Sequence, residues 1–152
     1  MLYPTHLLLG IIMFLISHQY LSGGNVIIFF LILMVTCLFP DIDEEHSLIN
    51  RATGPFGTVI AFLTKHRGIF HSLLLYLGLF ITVSLIWNNY YAWAILLGYL
   101  AHLVGDGITP MGVKIFHPLH DFKIRGPIRA GSTLEGILLI ILIVVVINNV
   151  WF

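Results

Sequence analysis

Apolar residues gather along the chain into five long blocks, at about 4–20, 25–39, 70–87, 91–109 and 134–152. Each is close to the roughly 20 residues that a bilayer core demands of a spanning helix. Lipid leaves a spanning chain only helices or a closed barrel, and such uninterrupted apolar runs predict helices. The first block lacks the basic n-region and the A-x-A-like site of a signal peptide, so it is expected to be a retained helix. The second is short, and Pro40 closes it before the acidic stretch PDIDEE. Polar punctuation falls between blocks: Ser22-Gly23-Gly24-Asn25 makes the first turn, and Asn88-Asn89 makes the tight connection between the third and fourth. The stretch GPFGTVIAFLTK is too short to span and predicts an interfacial helix at about 55–64, or a lid. No repeat or low-complexity tract divides the chain, which predicts a single transmembrane domain over 1–152.

Composition strengthens this picture. Of the 152 residues, 59% are hydrophobic and 9% charged, with a mean hydropathy of +0.99. A soluble domain carries roughly 25% charged residues, so the chain reads as an all-α integral membrane protein. A net charge of zero argues against a nucleic-acid partner. A lone cysteine, Cys37, excludes an intramolecular disulfide and a thiolate zinc cluster.

Charge placement then predicts orientation. Every Lys and Arg lies either between blocks two and three (Arg51, Lys65, Arg67) or between four and five (Lys114, Lys123, Arg125, Arg129). With five spans those loops share a side with the N-terminus, and the positive-inside rule makes that side cytoplasmic, N-in and C-out. Tyr20, Trp87, Tyr90, Tyr91, Trp93 and Trp151 fall near the opposite ends, as an interfacial aromatic belt would.

The same count places the ionisable groups. All seven acidic residues and every histidine except His18 belong to the inner end. His102 and Asp106 stand four apart near the end of block four, on one helical face, as a metal pair or as a packing hydrogen bond. Asp41 and Asp43 follow a helix stop, where irregular backbone lets two carboxylates face one pocket or a solvated loop. His66, Arg67 and His71 sit at a helix entrance, and His6 opens the first block. Glu135 completes S-x-x-E with Ser132, which is the pattern of a capping box as well as a possible carboxylate for chemistry. His117, His120 and Asp121 are more simply a solvated loop, and the basic residues around them touch anionic lipid heads. Three carboxylates and three histidines at one depth are costly unless paired or metal-bound. Mixed His and Asp donors suit zinc first, with manganese or iron as alternatives, and the donors are numerous enough for one ion or two.

Taken together, Thr5-His6, Pro40 to Asp43, His66 to Ser72, Gly98 to Gly112 and Gly131 to Glu135 resemble the YdjM-like membrane-bound metal-dependent hydrolases, over nearly the whole chain. Phe70 stands where the H-R-G-x-T-H version of that pattern carries Thr. The resemblance implies a small multi-pass inner-membrane protein with a divalent metal centre, the matching histidines and aspartates being its ligands. The expected ligands are Asp41, His71, His102 and Asp106, with His6 and His66 next. Asp43 or Glu135 is the expected general base, and Arg67 the cation facing a phosphoryl oxygen. The expected activity is hydrolysis of a phosphoester of a lipid or other amphiphile at the cytoplasmic leaflet, with membrane lipids as surroundings. The alternatives are a metal-binding transport component or sensor, and a structural membrane subunit. The apolar outer half argues against a transport path.

Overall fold

The structure, a computed structural model, describes residues 1–64 and 67–151. Its helices are α1 (Tyr3–Ser17), α2 (Val26–Leu38), α3 (Leu48–Thr53), α4 (Pro55–Leu63), α5 (Leu73–Ile86), α6 (Asn89–Gly107) and α7 (Thr133–Trp151). Phe39–Asp43 and Ile69–His71 wind as 3-10 turns. Among the described residues strand-type pairing is confined to an isolated antiparallel bridge, Val113 with Ile124. The all-helical expectation therefore holds.

Local chemistry explains the boundaries. Asn25 accepts from the N–H groups of Ile27 (2.8 Å) and Ile28 (3.3 Å), and Asn88 from that of Tyr90 (2.7 Å). Both turn asparagines are thus N-caps. The third block becomes helical only from Leu73, because Ser72 caps it by accepting from Leu74 N–H at 3.3 Å. That leaves His71 just outside the helix, in the 3-10 turn that buries it. Pro40 does not end helical winding as its position suggests; it sits in the first turn of the tighter 3-10 segment that continues α2. Val26–Asp43 and Thr133–Trp151 are long and apolar enough to cross a membrane, while Tyr3–Ser17 and Leu73–Ile86 are apolar but shorter.

Helix α6 is the hub, packed on α2, α5 and α1, and α7 lies against α1. In lipid, helices associate through close packing rather than water exclusion, which favours small residues at contacts. Ala92, Ala94 and Ala101 of α6 are accordingly buried, and Gly98 lets the α2 backbone approach directly. Tyr90 and Tyr91, expected in the aromatic belt, pack instead with Phe29, Leu33 and Ala94 in the core, and the Tyr91 hydroxyl oxygen accepts from Asn25 N–H (2.9 Å). Tyr20, Trp87 and Trp151 remain exposed.

The expected 55–64 helix appears as α4. Helix α3 before it was not expected from the apolar pattern, being only six residues long. Its cap, Ser47, accepts from Asn50 N–H (3.1 Å) and donates to the Asp41 carbonyl (2.6 Å). Buried Asn50 donates to the carbonyls of Ile42 and Gly57, each at 2.7 Å. The acidic turn after α2 is thereby held from behind.

Candidate metal centre

Three chain segments, the Phe39–Asp43 turn, the Ile69–His71 turn and α6, bring four donors to one point. The Nε2 atoms of His71 and His102 lie 3.2 Å apart. Asp41 Oδ1 is 3.7 Å from each of them, and Asp106 Oδ2 is 3.5 Å from His71 Nε2 and 3.8 Å from His102 Nε2. These donors all lie within 4.8 Å of one another. A tetrahedral ion with bonds of about 2.0–2.2 Å needs donors about 3.3–3.6 Å apart, and the separations of 3.2–3.8 Å given above come close to that spacing.

The tautomers strengthen the fit. His102 Nδ1–H donates to the Cys37 carbonyl (2.9 Å), which leaves its Nε2 lone pair facing the cluster. His71 Nδ1 faces Asp43 Oδ2 at 3.5 Å, the carboxylate–histidine arrangement that orients metal-binding imidazoles. With His71 in its Nδ1–H tautomer, two nitrogen lone pairs and two carboxylate oxygens converge, a set of acceptors that a cation would satisfy. His71, His102 and Asp106 are fully buried, whereas the Asp41 side chain is 20% exposed.

Asp41 and Asp43 do not face one pocket. In a 3-10 turn of about three residues, positions two apart point in different directions, and here they address opposite nitrogens of the same imidazole. Asp43 also accepts from the Arg67 backbone N–H at 3.0 Å. Arg67 holds a left-handed backbone, φ 60°, a conformation costing roughly 1–3 kcal/mol unless surroundings enforce it. Its side chain supplies that enforcement: Nη2 is 2.8 Å from Asp106 Oδ2, and Nη1 donates to the Gly112 carbonyl.

His6 is fully buried and stacks on His102, with ring centroids 4.2 Å apart and planes 10° apart. Its Nε2 is 3.6 Å from Asp106 Oδ1, beside the Met1 amino group at 3.0 Å from the same oxygen. It thus lies next to the four-donor cluster. Gly105 makes the space, since a Cβ there would lie 2.6 Å from the His6 ring. His66 lies outside the described residues.

Glu135 is occupied elsewhere. Oε1 accepts from Leu2 N–H and the Thr5 hydroxyl, both at 2.9 Å, and Oε2 from Gly131 N–H at 2.6 Å. Ser132 accepts from Glu135 N–H (3.4 Å), so the helix is capped as the S-x-x-E pattern predicts, while the carboxylate reaches Gly131 N–H and across to α1. Replacing Glu135 with Ala strands three buried or half-buried donors and is expected to destabilise the fold by about 1–3 kcal/mol. Thermal unfolding in detergent checks this; a Glu135→Ala protein of unchanged stability that loses only turnover would place the carboxylate in the chemistry.

Supporting residues beyond the sequence reading are Ser47, Asn50 and Tyr99. Tyr99 donates its hydroxyl to the His71 carbonyl at 2.8 Å. It stands three residues before His102, so the helical period could have placed it on the same face.

The comparison with known families matches the whole chain, residues 1–152, to the family described as YdjM inner membrane protein. The chain belongs to that family. Inner membrane protein YdjM of Escherichia coli (strain K12) is 34% identical over 111 residues, covering 67% of this chain and 56% of that protein. The Shigella flexneri protein of the same name gives the same figures. The chain spans little more than half the length of the curated relatives it matches. No solved structure matches. Membership in the YdjM family and the apolar helices agree on an inner-membrane protein, in which the His/Asp group can hold a metal ion.

Proposed function

We propose that the protein is a membrane-embedded, metal-dependent hydrolase acting on a phosphoester of a lipid or amphiphile at the cytoplasmic leaflet. The observation that carries this is the convergence of four donor atoms within 4.8 Å of one another, beside a guanidinium and an open cavity. That cavity, about 290 Å³, is lined by Asp41 and Arg67 together with apolar Leu2, Leu38, Leu48 and Ile49. An apolar wall suits an acyl or prenyl chain, and Arg67 suits a phosphoryl oxygen.

In this reading Asp41, His71, His102 and Asp106 hold one ion, zinc first, with manganese or iron as alternatives, and His6 is the neighbouring donor for an enlarged shell or a second ion. A divalent ion there would lower the pKa of bound water and polarise the phosphoryl group. Asp43 holds the tautomer of His71, so we assign it a positioning role; Glu135 braces α1 against α7. Arg67 binds the phosphate edge. Asp41, alone of the four in reaching the cavity, marks where substrate meets the centre.

Basic loops on one side support five spans, α1, α2, α5, α6 and α7, forming one domain over 1–152 with N-in and C-out. The 15 and 14 residues of α1 and α5 rise only about 21–23 Å, so this topology calls for local thinning of the bilayer around them.

Four protein donors also suit a non-catalytic metal protein, because catalytic zinc usually keeps one position open. Against this, structural zinc favours thiolates, and Cys37 is turned away, its Sγ 3.1 Å from the His6 carbonyl. The test is phosphate release from a panel of phospholipids and isoprenoid phosphates by detergent-purified protein, with chelation and metal restoration. Chelator-sensitive turnover is expected. Asp43→Asn is expected to weaken metal affinity about 10–100-fold. A protein with stoichiometric metal that releases phosphate from none of the panel would favour the non-catalytic reading.

A further inference from the structure

A second cavity, about 610 Å³, also borders Arg67 and is lined by Lys114, His117, Asp121 and Lys123. Its construction follows from the antiparallel bridge. Val113 pairs with Ile124 through N–H···O bonds of 2.9 and 3.0 Å, and that register sets Lys114 across from Lys123. Like charges directly opposite are unfavourable. Asp121 offsets one of them: it pairs with Lys114, whose hydrogen bond and charge hold its carboxyl below the usual carboxylate range. Lys123 makes no hydrogen bond or ion pair among the described residues. The lining thus carries three cations, Arg67, Lys114 and Lys123, against one carboxylate.

Two further observations describe how the cavity is built into the fold. His117 Nδ1 and Arg67 Nε are buried without a hydrogen-bond partner, and both residues line this cavity. The loop is also fixed to the metal-centre segment rather than hanging free. Ser72, next to His71, donates to the His117 carbonyl, and Leu73 N–H donates to the Ile115 carbonyl at 2.9 Å.

We infer that this cavity is an anion subsite that binds a phosphate group through Lys114, His117, Lys123 and Arg67. The inference deepens the hydrolase reading, on which it rests for the role of the anion: Arg67 lines both cavities, so an amphiphile can lie with its apolar part beside Asp41 and a phosphate-bearing end beside Lys123. The substrate class this selects is an amphiphile with a terminal phosphate or diphosphate, in preference to a zwitterionic headgroup. Charge-assisted hydrogen bonds from cations are the interactions that would discriminate the two.

The test is titration of inorganic phosphate into metal-replete, detergent-purified protein by calorimetry, with metal content measured on every sample. Lys123→Glu reverses an exposed charge that makes no bond in the fold, so folding should survive. Arg125→Ala removes a charge from the same loop without touching the cavity. Phosphate affinity is expected to fall at least tenfold in Lys123→Glu, the scale of one charge-assisted hydrogen bond, and less than twofold in Arg125→Ala. Equal affinity in Lys123→Glu and wild type, or no phosphate binding by folded wild type, overturns the subsite. Folded protein that takes up no metal even after supplementation, yet binds phosphate through Lys123, overturns the hydrolase reading and leaves the subsite standing. Nanodiscs containing phosphatidic acid or phosphatidylcholine then distinguish the source: selective, Lys123-dependent binding of phosphatidic acid marks a lipid headgroup, and Lys123-dependent binding of inorganic phosphate alone marks a soluble anion.

Discussion

Asp106→Ala protein is expected to purify without metal and with markedly reduced stability. The loss has two separable origins. The carboxylate is one of four donors at the centre, and it is also the ion-pair partner of Arg67, whose side chain is only 14% exposed. Removing one partner of a buried pair typically costs about 3–5 kcal/mol, because the other charge stays buried without compensation. A second substitution, Arg67→Met, is therefore expected to restore much of the stability of Asp106→Ala while restoring no metal. Unfolding in detergent and elemental analysis of the single and double variants measure the two effects independently. Metal retained at wild-type stoichiometry by Asp106→Ala would remove that residue from the ligand set.

Gly98→Ala is expected to do comparable damage from just over two turns further back along α6. A Cβ at this position would lie 2.4 Å from the Leu33 carbonyl oxygen and 3.1 Å from Cys37 N, both backbone atoms of α2 that cannot rotate away. Helices α2 and α6 would have to separate, and overpacking of that kind costs about 1–3 kcal/mol or more. Separation also draws the Cys37 carbonyl from His102 Nδ1, so the tautomer that presents Nε2 loses its anchor. The expected result is a lower unfolding temperature together with weaker metal binding. Gly78→Ala is the matched control: nothing lies within 4 Å of its Cβ position, so it should be neutral. Equal stability of the two variants would contradict the close α2–α6 approach.

These consequences depend on contacts that one sequence exposes unevenly. The all-helical class was legible because an apolar run of spanning length in lipid has few alternatives, and the asparagine turns were legible because their side chains cap the next helix. The His102–Asp106 pair was legible for the same reason, since helical spacing fixes which side chains share a face. Asp41 and Asp43 were harder: their positions depend on α2 tightening into a 3-10 turn at Pro40, a choice set by Ser47 and Asn50 gripping the following backbone. Once that turn forms, one carboxylate meets His71 Nε2 and the other Nδ1, which no spacing rule for a disordered loop would give. Glu135 shows how a correct local pattern leaves the long-range half unseen: the cap forms, and the carboxylate is taken by Leu2 and Thr5 from the far end of the chain. Helix α3 escaped notice because six residues carry too little periodicity to register.

The most direct measurement is the metal content of detergent-purified protein by elemental mass spectrometry, wild type beside His71→Ala and His102→Ala, with folding verified by circular dichroism. The account predicts about one zinc, manganese or iron per chain in wild type and near-total loss in both folded variants. Wild-type protein that stays metal-free after supplementation, or variants that keep the ion, would contradict it.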